Sequence, residues 1–193
     1  MVSERVSDKT RESLVVSARM LFAQSGYADV SVAAVSAHAG VTKGALYHHF
    51  PNKEDLFAAV LSHVEAELQT RSRAAARGAR SVRGKLLAGF AAYLDCVVDP
   101  GIGRIALIEG PVVLGPTRYH ELTSRFSHDD TAFVLGAMLP AAEPNEIDML
   151  TWMLLGALNS AALSITTSAK PKQTRITAGA AVERLIHGLS PAK

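Results

Sequence analysis

Two sets of residues in this 193-residue chain are dense enough in polar groups to do chemistry. The first is His120-Glu121 with His128-Asp129-Asp130. Imidazoles and carboxylates together could hold a divalent cation. No partner histidine stands four residues away on the same helical face, so these side chains read as solvated loop residues. No glycine-rich phosphate loop, nucleophile elbow or Cys-x-x-Cys pair is present. The sequence therefore assigns no catalytic residue, no metal site and no cofactor. A helical small-molecule-binding or metal-dependent enzyme-like protein is the alternative reading. The second set runs from Thr42 to Lys53, in TKGALYHHFPNK. Lys43 is the only long polar donor early in that stretch, suited to a base edge or a phosphate. Thr42, Gly44 and Ala45 are small enough for close approach and for contact with a thymine methyl. Lys53 opens a helix, where its ammonium and the free N–H groups can both hold a phosphate.

These residues need elements to position them, and the stretch from Ser31 to Phe57 supplies them. Ser31 caps a short helix with Val32 and Val35 on one face. Gly40 sits where two helices must turn sharply, a place for left-handed backbone angles. Thr42 caps the next helix, in which Leu46 and Phe50 lie four apart and share an inward face. Lys43, Gly44, Tyr47 and His48 face away. Pro51 ends the helix, and Asn52 caps a long one with Asp55 in its first turn. That arrangement is a helix-turn-helix, whose second helix can enter a DNA major groove.

The wording AGVTKGALYHHFPNKEDLF closely resembles the DNA-binding signature of the TetR family of transcriptional regulators. The match runs from about Thr10 to Leu61, and departs at Ala33 and Ala34, where an acidic residue often follows the cap. The resemblance implies that Tyr47 and His48 contact phosphates, and it groups Ser31, Thr42, Lys43, Gly44, Ala45 and Lys53 with them as DNA-binding residues. A core aromatic is the other reading of Tyr47, and His49 reads as a packing residue. The resemblance further implies a homodimer paired through the last two helices. It also implies a ligand pocket among the fourth to eighth helices, with Tyr93, Arg104, Glu109, Tyr119, Phe126 and Trp152 as lining residues. The partners expected are thus a double-stranded DNA operator and a small hydrophobic effector.

The remaining pattern is all-α, about nine helices. Residues 1–52 form a three-helix DNA-binding domain and residues 53–193 a helical ligand-binding and dimerisation domain. Residues 1–9 are polar and read as an arm, with Arg5, Lys9 and Arg11 within reach of phosphates or as a frayed terminus. The first helix is expected from about Thr10 to Ser25, stopped by Gly26. The long fourth helix carries the stripe Leu56, Phe57, Val60, Leu61, Val64 and Leu68. RSRAAARGARSVRGK, residues 71–85, holds six basic residues and no acid, and reads as a helix end and a helix start broken at Gly78 and Ser81. A fifth helix covers about Val82 to Val98. A short helix from residue 102 is expected to break at Gly110-Pro111, followed by a helix from Pro116 to Met138 that Ser127–Asp130 bends or breaks.

An eighth helix, about Asn145 to Ser168, is uncharged from Met149 through Ala169. That length raises a membrane span. Its many hydroxyls and Asn159 argue instead for a helix covered by protein, with Gly156, Ala157, Ser160 and Ala161 allowing close approach. A ninth helix follows from about Thr174 to Leu189, and two apolar helices at the chain's end suggest a self-complementary four-helix interface. Net charge is only +2, yet residues 1–85 carry twelve Lys and Arg against eight Asp and Glu, while residues 86–193 carry eight against ten. The single cysteine, Cys96, and an N-terminus unlike a secretory signal point to the cytoplasm.

Overall fold

The computed structural model describes residues 2–189, and the side chains from residue 7 onward. The described chain is helical and contains no strand. The helices are α1 (Val2–Ser25), α2 (Val32–His38), α3 (Lys43–His49), α4 (Lys53–Arg77), α5 (Val82–Cys96), α6 (Pro100–Gly103), α7 (Gly110–Met138), α8 (Pro144–Thr166) and α9 (Pro171–Gly188). A π-helical turn at Arg104–Glu109 joins α6 to α7.

The N-terminal end forms as its caps dictate. Ser31 Oγ accepts from Ala34 N at 3.0 Å, Thr42 Oγ1 from Ala45 N at 3.1 Å, and Asn52 Oδ1 from Asp55 N at 2.7 Å. Each satisfies a backbone donor that the first helical turn leaves free. Gly26 (φ 85°) ends α1 and Gly40 (φ 68°) turns α2 into α3, both in the left-handed region. Leu14, Ala18, Phe22, Leu46, Leu56 and Phe57 are completely buried where α1, α3 and α4 meet. Burying each large side chain contributes about 1.5–3 kcal/mol. The rings of Phe22, Tyr27 and Phe57 pack with centroids 5.2–5.6 Å apart.

Three expectations are corrected. Residues 2–9 are not an arm: α1 begins at Val2, so the backbone of Arg5 and Lys9 is helical, although the side chain of Arg5 lies outside the described residues. Nor does the chain break at Gly110-Pro111. There the ladder widens instead, and Gly110 N donates to Ile105 O five residues back. The break falls at Gly115 (φ 70°, ψ 164°), just before Pro116, and Ser127–Asp130 continue α7 as helix.

The basic stretch 71–85 follows its expected course: α4 ends at Arg77, Gly78 closes it and Ser81 Oγ caps α5. Arg71 pairs with Glu67 and Arg73 with Asp130, while Arg83 Nη2 donates to Leu189 O at 3.1 Å. α8 is long and apolar enough to cross a membrane by length and composition. It buries Thr151, Leu154, Leu158, Ala162 and Ile165 against the other helices and leaves Met149, Met153 and Leu163 exposed.

Candidate nucleic-acid interface and cavity

At the tip of the N-terminal end, α3 presents one face outward. Leu46 is fully buried and Phe50 nearly so, and these two anchor the helix. Thr42, Lys43, Gly44 and His48 are exposed, Ala45 and His49 are half-buried, and Tyr47 keeps 45% of its surface. Tyr47 is therefore no core aromatic. Lys43 Nζ lies 5.7 Å from the centre of its ring, and the His48 and His49 rings are 5.4 Å apart. Ser31 is exposed beside this face. Lys53 behaves differently: its ammonium turns back over the Tyr27 ring at 4.2 Å and lies 3.4 Å from Ala28 O. Burial pulls its pKa down, against the opposing pull of Asp29 and Glu109. The result is a small cationic and aromatic face at the start of a short helix, suited to phosphates and base edges.

The second half encloses a cavity of about 370 Å³ between α4, α5, α7 and α8. Tyr93, Tyr119, Phe126 and Trp152 line it. Arg104 and Glu109 do not. Arg104 Nη1 donates to Gln24 O at 3.3 Å, and Glu109 Oε1 accepts from Tyr27 N at 2.9 Å. Both hold the end of α1 to the π-helical turn. Sequence reasoning missed Glu65, Gln69, Arg73, Asp130 and Asn159, all of which also line the cavity. Gln69 Nε2 donates to Phe126 O and to Asp130 Oδ2. Arg73 reaches both oxygens of Asp130, at 2.6 and 3.0 Å. Burial drives the Glu65 carboxyl up to about 7. It also drives the Tyr93 hydroxyl well up and Tyr119 to about 12, each pushed further by Glu65. Glu65 follows Leu61 by four residues and precedes Leu68 by three, so an acid on the buried stripe was a signal readable in the sequence.

The histidine–carboxylate clusters are not loop residues. They stand on α7, where His120 and His128 both pack against Trp152, with ring centroids 4.8 and 4.4 Å away. His128 Nε2 lies 2.9 Å from Asp148 Oδ1, and Asp130 is engaged by Arg73.

Tyr119 has two neighbours that reach the N-terminal end. A Cβ on Gly110 would stand 2.7 Å from the Tyr119 ring, so the ring lies flush against that backbone, next to Glu109. Arg118, the preceding residue, pairs with Glu54 and Asp55 in the first turn of α4. The side chain at the cavity wall thus neighbours two contacts that grip the N-terminal end.

Residues 14–60 match bacterial regulatory proteins of the tetR family, and residues 84–189 match the tetracyclin repressor-like C-terminal domain. The chain is 36% identical over 110 residues to the transposon Tn10 TetC protein of Escherichia coli, covering 55% of this chain and 53% of that protein. It is 30% identical over 109 residues to the transcriptional activator FasR of Mycolicibacterium smegmatis, covering 56% and 50%. These matches span about half the length of the curated relatives. The crystal structure of a TetR-family transcriptional regulator from Pectobacterium atrosepticum superposes with a TM-score of 0.83 at 29% identity, over 97% of this chain and 98% of that one.

Proposed function

The chain belongs to the TetR family of bacterial regulatory proteins, and on that premise we propose that it is a DNA-binding transcriptional repressor, released from a palindromic operator by a small hydrophobic effector. The observation that carries this reading is the outward face of α3: Lys43, Tyr47 and His48 exposed on a helix pinned by fully buried Leu46. Thr42, Gly44 and Ala45 keep that helix slim enough to enter a major groove, with Ser31 beside it. Lys43 reads a base edge or a phosphate, and Tyr47 and His48 clamp phosphates. Lys53 contributes chiefly by stapling α4 to Tyr27, and reaches a phosphate only by leaving that ring.

Residues 1–52 form the reading unit and residues 53–193 the sensing and pairing unit, with α4 as their joint. Two copies pair through α8 and α9. The exposed Met149, Met153, Leu163, Ile176 and Leu185 provide the apolar surface such an interface needs. Pairing sets two recognition helices about 34 Å apart, one turn of duplex. The effector enters the cavity and displaces Tyr119. That displacement shifts Arg118 and Glu109, and with them the start of α4 and the end of α1. Effector and DNA then oppose each other by one shared coupling free energy.

The test is selection of duplexes from a randomised pool by the purified chain, with its mass measured in solution. Enrichment of a palindrome bound by a dimer supports the reading. A monomer, or a pool left without any enriched sequence, rejects it.

A further inference from the structure

The cavity lining narrows the chemistry of the molecule that enters it. Glu65 is 8% exposed, and its carboxyl makes no hydrogen bond or ion pair with any described residue. A buried carboxyl without a counter-charge costs free energy, so its position in the wall leaves a vacancy for a donor or a cation. The hydroxyls of Tyr93 and Tyr119 lie close enough to feel its charge, and neither brings a positive charge. The cations of the lining are Arg73 and Lys85. Arg73 is half-exposed and already committed to both oxygens of Asp130, and Lys85 is exposed. Negative charge therefore lies deep and positive charge lies at the rim. Between them the walls are apolar and aromatic, with Phe90, Phe126 and Trp152 among them.

An anionic amphiphile can place its head only at the rim, on exposed Lys85 or on an Arg73 taken from Asp130, and its tail then leaves the deep carboxyl unpaired. A neutral apolar molecule would leave the carboxyl buried and unpaired. A protonated amine fits both requirements. Its N–H groups donate to the carboxylate, and its charge offsets the buried one.

We propose that the effector is a small amphiphilic amine, its apolar or aromatic body held between α5, α7 and α8 and its single ammonium docked on Glu65. This inference rests on reading the cavity as the effector site. Glu65 is the specificity-determining residue, and Tyr93 and Tyr119 flank the ammonium.

The experiment compares three probes of one shape: 4-phenylbutylamine, 4-phenylbutanol and 4-phenylbutyrate. Binding to the full chain is followed by calorimetry and by the fluorescence of Trp152, the only tryptophan, which lies in the cavity wall. The amine is expected to bind at least tenfold tighter than the alcohol, and the carboxylate weakest. Glu65→Gln is expected to bring the amine down to the affinity of the alcohol. Equal binding of amine and alcohol to the native chain overturns the proposal, and so does preferential binding of the carboxylate or absence of binding by all three. Should Glu65→Gln fold poorly, the ranking on the native chain still decides. Operator affinity is measured separately. Amine-selective binding that leaves DNA affinity unchanged defeats release by effector while the ligand class stands.

Discussion

Leu14, Phe22, Leu46 and Phe57 have no exposed surface in the N-terminal helices, whereas α4, α5, α7 and α8 stand around a cavity of about 370 Å³ with the buried carboxyl of Glu65 in its wall. The first region buries its large side chains completely, as close-packed interiors do. The second leaves open space between its helices. On the proposed reading, the first part fixes the geometry of contact and the second responds to the effector. α4 belongs to both, and the contacts of Glu109 and Arg118 tie the second part to the first.

The sharpest way to break this contrast is to truncate one aromatic from each region. Phe57→Ala is expected to cost about 3–5 kcal/mol in denaturant unfolding. Phe126→Ala, on the cavity wall, is expected to cost about 1 kcal/mol, because its half-buried ring gives up roughly half the transfer free energy of a fully buried one. Equal losses would remove the distinction.

Next in size is Glu65. Its folded pKa is raised from 4.5 to about 7 by burial. The folded state therefore binds the proton more tightly than the unfolded chain does, and stability is greatest below about pH 4.5 for this group, falling as pH rises through about 7. The full effect is on the order of 3 kcal/mol. Glu65→Gln is expected to raise stability at pH 8 and to flatten the fall between pH 5 and 8, measured by thermal or urea unfolding (roughly the window of the shift). A steeper fall in the variant would contradict the assignment.

Gly26→Ala places a side chain at φ 85° and sets its Cβ 2.9 Å from Glu109 Oε1. A loss of about 1–2 kcal/mol is expected from the left-handed backbone, together with a weaker response of DNA affinity to cavity ligands. Smallest in stability is Arg118→Ala. Its ion pairs with Glu54 and Asp55 are partly exposed, so unfolding should change by less than about 1 kcal/mol. The coupling between ligand and DNA, measured as the ratio of operator affinities with and without 4-phenylbutylamine, should still shrink. An unchanged ratio would show that Arg118 carries no part of the signal.

The two regions also differ in how far they could be read from residues alone. The N-terminal end is built from contacts three and four residues apart: Ser31 to Ala34, Thr42 to Ala45, Asn52 to Asp55, Leu46 to Phe50. Such contacts leave a local pattern, and the caps, the Gly40 turn and the buried pair were all legible. The start of α1 was not, since mixed polar residues carry no apolar stripe to extend it. Arg104 and Glu109 were misplaced because their partners, Gln24 and Tyr27, lie 80 and 82 residues away. His120 and His128 looked like loop chemistry because only the fold brings Trp152 against them. Tyr93, Tyr119, Phe126 and Trp152 came from a family likeness, whereas Glu65 was open to plain inspection as an acid in register with Leu61 and Leu68.

One measurement bears most directly on the central claim that the outward face of α3 reads DNA. Fluorescence anisotropy of the enriched duplex is recorded with the native chain, Lys43→Ala and Tyr47→Ala, after circular dichroism and solution mass have shown each variant folded and paired. Loss of at least tenfold in affinity in each variant is the expected result. Binding undiminished in both would contradict the claim.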